Sequence, residues 1–384
     1  MRRYLLPRPV HPFAWWAWAI GLAVAANGTT NPLLLVSIVA LASLVTLSRR
    51  GDNPWAKGFA VYLWLAVFIV LVRVAFRVLF GGGDGPTILL DLPEVPLPWW
   101  VQGIRILGPV SLEAILSGLY DGLRLATMIV CLGAANSLAN PKRLLASLPG
   151  ALYELGTVLV VAIGVFPQLG DSVLRVHRAR KLRRAPAGGG RRAKYKVVET
   201  IIVPVLSDAL DRSLHLAASM DVRGYGRHGT ATPTQRRWTT VVGLAGLVVL
   251  AVGLYLQLSR TAPGPVVWGL KVLPTVLLLS GAMIMALAMR RAGRTVNKTI
   301  YRPIRWGAAE WLVVACGLAA VAAVSLTGGS AQAAVLVPGI NPFAWPTLTP
   351  FLVLGLAVAA LPAFATPSPS LANARVLHTA EGLS

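Results

Sequence analysis

Apolar residues in this chain gather in long unbroken runs instead of alternating or recurring on one helical face. Eight runs are close to the twenty residues that a helix needs to cross a bilayer: 13–29, 32–48, 58–80, 111–136, 238–258, 266–289, 308–328 and 346–365. The first two are joined by Asn27-Gly28-Thr29-Thr30-Asn31, which predicts a tight helical hairpin. A ninth run, 150–167, contains Glu154 and ends at Phe166-Pro167. Residues 141–230 are more polar but carry helical spacing over 150–167, 168–185 and 194–224, with a break at Ala185-Pro186-Ala187-Gly188-Gly189-Gly190. Beyond that break Val197, Ile201, Val205, Leu206, Leu210, Leu214 and Ala217 define one apolar face, and Pro204 predicts a kink. In 84–110, Thr87-Ile88-Leu89-Leu90 and Ile104-Arg105-Ile106-Leu107 suit a small hairpin. The pattern predicts an all-α polytopic membrane protein of about eight spans. Spans one to four occupy 1–140, a cytoplasmic helical segment 141–237, spans five to eight 238–365, and a disordered tail 366–384.

Composition agrees. With 55% hydrophobic residues, 13% charged residues and a mean hydropathy of +0.66, the chain is too apolar for a soluble globular protein or a disordered one. Its net charge of +22 would suggest a nucleic-acid partner if the charges were spread evenly, but they are confined to alternate loops. Arg2, Arg3 and Arg8, then Arg49, Arg50 and Lys57, then Lys142 and Arg143 mark one side. On that same side, 171–237 holds fifteen Lys/Arg against five Asp/Glu, and 290–305 holds six basic residues. The opposite loops are acidic (81–110) or uncharged (329–345). Eight spans place every basic loop and both termini in the cytoplasm. If 150–167 also crossed, the most basic segment would face outward, so it is read as a cytoplasmic or interfacial helix. The first apolar run leads into Asn27-Gly28-Thr29-Thr30, not a small-x-small cleavage site, and is read as a span. Trp15, Trp16, Trp18, Trp99 and Trp100 suit interfacial belts, and Lys271 a snorkelling position.

Catalytic chemistry is not visible. The chain lacks a Gly-x-x-x-x-Gly-Lys-Ser/Thr loop, and Gly188-Gly189-Gly190-Arg191-Arg192 follows no strand and reads as a linker. His11, His177, His215, His228 and His378 show no zinc spacing, and Cys131 and Cys316 lie apart in apolar runs. Neither catalytic residues, a metal site nor a cofactor is expected. Asp208 and Asp211, a close acidic pair, are explained by capping or by pairing with Arg212. Ionisable residues inside spans are the stronger signal. Asp121 and Arg124 permit an intrahelical pair, and Arg73 and Arg77 a meeting with Glu113 or Asp121 across the bundle. This cluster is either a docking wall for a membrane partner, a polar path, or mutual neutralisation. Gly118-x-x-x-Gly122 permits close helix approach.

Two cytoplasmic helices end in arginines, one at Arg175-Val176-His177-Arg178-Ala179-Arg180-Lys181, the other at Met220-Asp221-Val222-Arg223-Gly224-Tyr225-Gly226. Taken alone these are positive-inside charges that attract anionic lipid, or rigid donor forks presented to a partner. The second block resembles the Ala-Met-Asp-Ala-Arg-Gly-Tyr-Gly signature of energy-coupling factor (ECF) transporter T components, the EcfT/CbiQ family. The first falls where that family carries its Ala-Arg-Gly-type motif, with Lys181 in place of glycine, and Val222 replaces the second motif's alanine. His11-Pro12, Gly108-Pro109-Val110-Ser111-Leu112-Glu113 and the Leu-rich 141–149 ending in Pro149 occur in the family's order, so the resemblance covers about 10–230.

The resemblance implies a scaffold in a prokaryotic plasma membrane, not an enzyme, linking two cytoplasmic ABC ATPase subunits to a substrate-binding membrane S component for vitamin or metal-ion uptake. ATP and Mg belong to the partner ATPases. Ala179, Arg180 and Lys181 would engage one ATPase groove, and Val222, Arg223 and Gly224 the other. A membrane-embedded enzyme or a self-contained secondary transporter is the alternative, and the four spans of 238–365 exceed what the family calls for.

Overall fold

A computed structural model of the chain describes residues 8–51, 58–80, 85–91, 93, 107–147, 152–182, 191–223, 232–259, 266–267, 270–294 and 306–367. In chain order the elements are α1 (Pro12–Asn27), α2 (Pro32–Arg49), α3 (Phe59–Phe80), β1 (Ile88–Asp91), β2 (Pro109–Ser111), α4 (Leu112–Leu138) and α5 (Pro141–Ala146). The remainder comprises α6 (Tyr153–Leu182), α7 (Arg191–Val222), α8 (Pro233–Leu258), β3 (Val266–Val267), β4 (Leu270–Lys271), α9 (Val272–Arg294), α10 (Ala308–Gly328), α11 (Pro350–Ala360) and α12 (Pro362–Ala365). The protein is an all-α polytopic membrane protein. Among the described residues, seven helices are long and apolar enough to cross a membrane: Pro32–Arg49, Phe59–Phe80, Leu112–Leu138, Gly156–Ala179, Arg237–Gln257, Val272–Gly293 and Ala308–Gly328.

Local chemistry explains where the helices start. Among the described residues, α1, α2, α5, α8 and α11 each begin with a capping residue followed by proline, whose fixed φ suits the first helical position and whose missing N–H would be unpaired there anyway. Asn31 accepts from the amides of Leu33 (3.0 Å) and Leu34 (3.4 Å) ahead of α2, Thr349 from Leu352 (3.4 Å) ahead of α11, and His11 Nδ1 from Phe13 (3.3 Å) ahead of α1. Ser111 caps α4 through the Ala114 amide.

Several sequence expectations are corrected. The break at Phe166-Pro167 is absent: α6 runs through Pro167, as α7 runs through Pro204, because a long helix forfeits one hydrogen bond at an internal proline and keeps the rest. By length and composition alone 156–179 joins the candidate spans, which does not decide whether it crosses, while α1 has only 16 residues. The run 266–289 opens with the β3–β4 pair, so helix starts at Val272 and Lys271 sits on a strand ahead of it. The run 346–365 starts its helix at Pro350 and breaks at Leu361-Pro362. β1 pairs antiparallel with Pro109–Ser111; of 104–107, the partner expected from sequence, 104–106 lie outside the described residues. Trp15 and Trp18 are core residues, stacked edge-to-face at 6.0 Å, and Trp16 is half-buried. Trp99, Trp100, the break at 185–190 and the tail after 367 lie outside the described residues.

The chain divides into two compact units. One holds the described parts of Met1–Leu144, Tyr255–Val276 and Tyr301–Ser384. Its core gathers Trp18, Leu22, Leu34, Leu35, Ile38, Val130, Val313 and Leu352 from α1, α2, α4, α10 and α11. α3 packs on α4 and otherwise exposes Trp64, Phe68 and Leu71, a surface suited to acyl chains. The other unit holds the described parts of Leu145–Leu254 and Leu277–Ile300. In it α6 packs on α7, and α8 meets α9 where Gly246 faces the Met285 backbone and Gly281 the Leu250 backbone.

Candidate functional site: the arginine-tipped helix pair

The two arginine motifs lie at the C-terminal ends of α6 and α7. Ala179 is exposed in the last turn of α6. Arg180 and Lys181 come next within the helix, their side chains outside the described residues, and Leu182 ends it at 88% exposure. Val222 ends α7 at 89% exposure and Arg223 comes after it, exposed, while Gly224 lies outside the described residues. Each tip therefore joins an arginine to a large apolar side chain left almost wholly in the open. Val222, larger than the alanine of the family signature, is left exposed among the described residues.

Behind the tips the helices contact each other through a mixed face. The apolar stripe expected on α7 is split. Ile201 and Val205 are half-buried, but Leu206, Leu210 and Leu214 are about 60% exposed, and the half-buried line continues instead through Asp208 and Arg212. Asp208 Oδ2 accepts from the hydroxyl of Ser172 on α6 at 2.6 Å, Oδ1 accepts from Arg212 Nε at 3.2 Å, and Arg175 Nη2 lies 4.0 Å away. The Ser172 hydrogen bond, aided by Arg212 and Arg175, holds the Asp208 carboxyl below the usual range against the opposing effect of desolvation.

The intramembrane cluster is only partly assembled. Asp121 and Arg124 form the expected ion pair at 3.3 Å. Arg77 donates to Ser117 at 3.2 Å, Glu113 accepts from the Thr87 hydroxyl, and Arg73 is exposed. Among the described residues neither arginine of α3 pairs with Glu113 or Asp121. The cause is the close packing of α3 on Gly118 and Gly122. A Cβ on Gly118 would lie 3.0 Å from Arg77 Cβ, and one on Gly122 3.2 Å from Val70 Cα and from Arg73 Cβ. The arginine stems thus pass directly over the glycines, and the guanidinium of Arg77 meets the residue beside them, Ser117.

Residues 7–234, which include both motifs, match the family described as CbiQ, cobalt transport protein. The chain belongs to this family. The EcfT proteins, each named energy-coupling factor transporter transmembrane protein, are similar to it. That of Bacillus selenitireducens is 29% identical over 59% of this chain and 81% of its own length. The Exiguobacterium sibiricum protein is 26% identical over 62% and 86%, and the Leuconostoc gelidum protein 29% identical over 44% and 71%. This EcfT/CbiQ member is accordingly a transmembrane component of an ECF transporter.

The family match stops at 234, yet α10 and α11, which lie beyond it, are built into the bundle. Gly21 of α1 and Gly317 of α10 cross so closely that a Cβ on either would lie 2.7 Å from the other helix's backbone. Trp18 Nε1 donates to the Ala359 carbonyl at 3.1 Å, Asn31 Nδ2 to Val335 and Thr347 carbonyls at 2.8 Å each, and Arg49 Nε to the Ala363 carbonyl at 2.9 Å. The strongest tie escaped sequence reasoning. Glu310, fully buried in the first turn of α10, accepts from Arg8 Nη1 and Nη2 at 3.0 Å each, from the His11 amide at 3.3 Å and from the Gly307 amide at 2.9 Å. His11 stands beside Trp306, ring centroids 5.2 Å apart, and burial pushes its imidazole pKa down, against the pull of Glu310. The available signal was a lone carboxylate opening an otherwise apolar span.

Proposed function

We propose that this chain is the coupling subunit of an ECF-type importer. Two cytoplasmic ABC ATPase subunits dock on the tips of α6 and α7, one in contact with Arg180 and the other with Arg223. ATP and Mg are held by those partners, and a substrate-binding membrane S component takes up a vitamin or a metal ion. The observation that carries the reading is that two contacting helices, both within the matched region, end at the arginine motifs with Leu182 on one tip and Val222 and Arg223 on the other exposed. Arginine is among the residue types enriched at the anchoring positions of protein interfaces.

Charge bias supports a cytoplasmic location for α6, α7 and both termini in a prokaryotic plasma membrane, since a crossing by 156–179 would move the most basic segment outside. The exposed Leu206, Leu210 and Leu214 of α7 favour cover by the S component. Reversing charge at both tips, Arg180→Glu with Arg223→Glu, is expected to abolish co-purification of the ATPases while membrane insertion of the chain persists. Undiminished co-purification refutes the assignment.

A further inference from the structure

The helices that carry the motifs have a directional contact behind their tips. On α6 the less exposed line runs through Leu169, Ser172 and Val176, and on α7 through Val205, Asp208 and Arg212. Apolar contacts along such a line are non-directional and permit sliding and rolling. A hydroxyl-to-carboxylate hydrogen bond is directional and stronger than a neutral one, and Ser172, which supplies it, is buried to 3% exposure. Arg175 from one helix and Arg212 from the other converge on the same carboxylate, so its removal leaves two like charges facing each other.

We propose that Asp208 is the pin at the contact between α6 and α7: bound by Ser172 of the neighbouring helix, it fixes the mutual register from which the two arginine tips move. It is a positioning residue, acting through Arg180 and Arg223 without touching a partner. Both arms are long: Leu182, at the end of α6, lies ten residues beyond Ser172, about 15 Å of helix, and Val222, at the end of α7, fourteen beyond Asp208, about 21 Å. A small change in the angle between the helices at the contact is thereby enlarged at the tips. The functional consequence rests on the coupling reading above; the pin itself does not.

The test uses the full chain, purified with whatever ATPases accompany it, carrying nitroxide labels at His177→Cys and Ala218→Cys, both exposed and outside the docking tips. Cys131 and Cys316 are buried and stay unlabelled. Pulsed electron resonance reads the distance distribution between labels. The parent is expected to give one narrow distribution, Asp208→Ala one at least twice as broad, and Asp208→Asn, which keeps an acceptor for Ser172 but not the charge, an intermediate width. Ser213→Ala, which loses only a bond within α7, leaves the width unchanged. With Mg and a non-hydrolysable ATP analogue the parent distance shifts, whereas Asp208→Ala keeps its ATPases but shows no resolved shift. An equally narrow Asp208→Ala distribution, a preserved shift, or a broad parent overturns the pin. If Asp208→Ala fails to insert, Ser172→Ala decides in the same way: broadening supports the pin and an unchanged width overturns it. Loss of the ATPases from the parent would instead count against the coupling reading and leave the widths to judge the pin.

Discussion

Replacing Arg8 by alanine deletes both guanidinium donors that Glu310 receives at 3.0 Å and leaves a fully buried carboxylate with only the Gly307 and His11 amides. Removing one partner of a buried ion pair costs about 3–5 kcal/mol. The Arg8 side chain is 33% exposed, so part of its attraction is already screened, and the lower end, about 3 kcal/mol, applies. The N-terminal dipole of α10 offsets some of the stranded charge but cannot replace two charged donors. At roughly 2–4 °C per kcal/mol, the α1–α10 junction is expected to melt about 6–12 °C earlier. Cys316, buried on α10 within the core shared with α1, supplies the assay. In a Cys131→Ala background, thermal onset of its labelling by a thiol-reactive fluorophore tracks the opening of that junction. The double replacement Arg8→Met with Glu310→Met should recover most of the loss, because an apolar pair needs no desolvated charge. An Arg8→Ala onset within about 2 °C of the parent, below the smallest shift expected, or a double variant no better than the single, refutes the reasoning.

Two further outcomes are expected. Gly122→Val places a side chain where Val70 Cα and Arg73 Cβ lie 3.2 Å from the Cβ position, so α3 must lift from α4 at a cost of about 1–3 kcal/mol; a melting curve superimposable on the parent's contradicts the close-packed α3–α4 contact. His11 has a pKa below its ordinary 6.5, so the unfolded chain binds the proton more readily. Its contribution to stability is complete above pH 6.5 and declines as pH falls below that value. His11→Asn keeps an N-cap acceptor and removes this pH dependence, and parallel stability-against-pH curves for the two proteins contradict the assignment.

The sequence alone determined that the chain is a helical membrane protein and where most spans lie. Lipid offers no partner for backbone groups, so each span must be one continuous apolar helix, and that requirement is written locally. It also determined the two arginine tips, because those motifs depend on residue identity at a helix end, and the Asp121–Arg124 pair, because spacing within one helix fixes the neighbours. Asp208 shows the limit within a single residue: its bond to Arg212 follows from helical spacing, its bond to Ser172 from how α6 and α7 are rotated against each other. Rotation and depth likewise decided that Arg77 meets Ser117 instead of Glu113 or Asp121, and that β1 pairs with Pro109–Ser111. Tertiary structure alone brought Glu310 to Arg8 across 302 positions of chain. Periodicity records which face of a helix is apolar, but the partner across a contact is chosen by the packing of whole helices, and no local pattern holds that information.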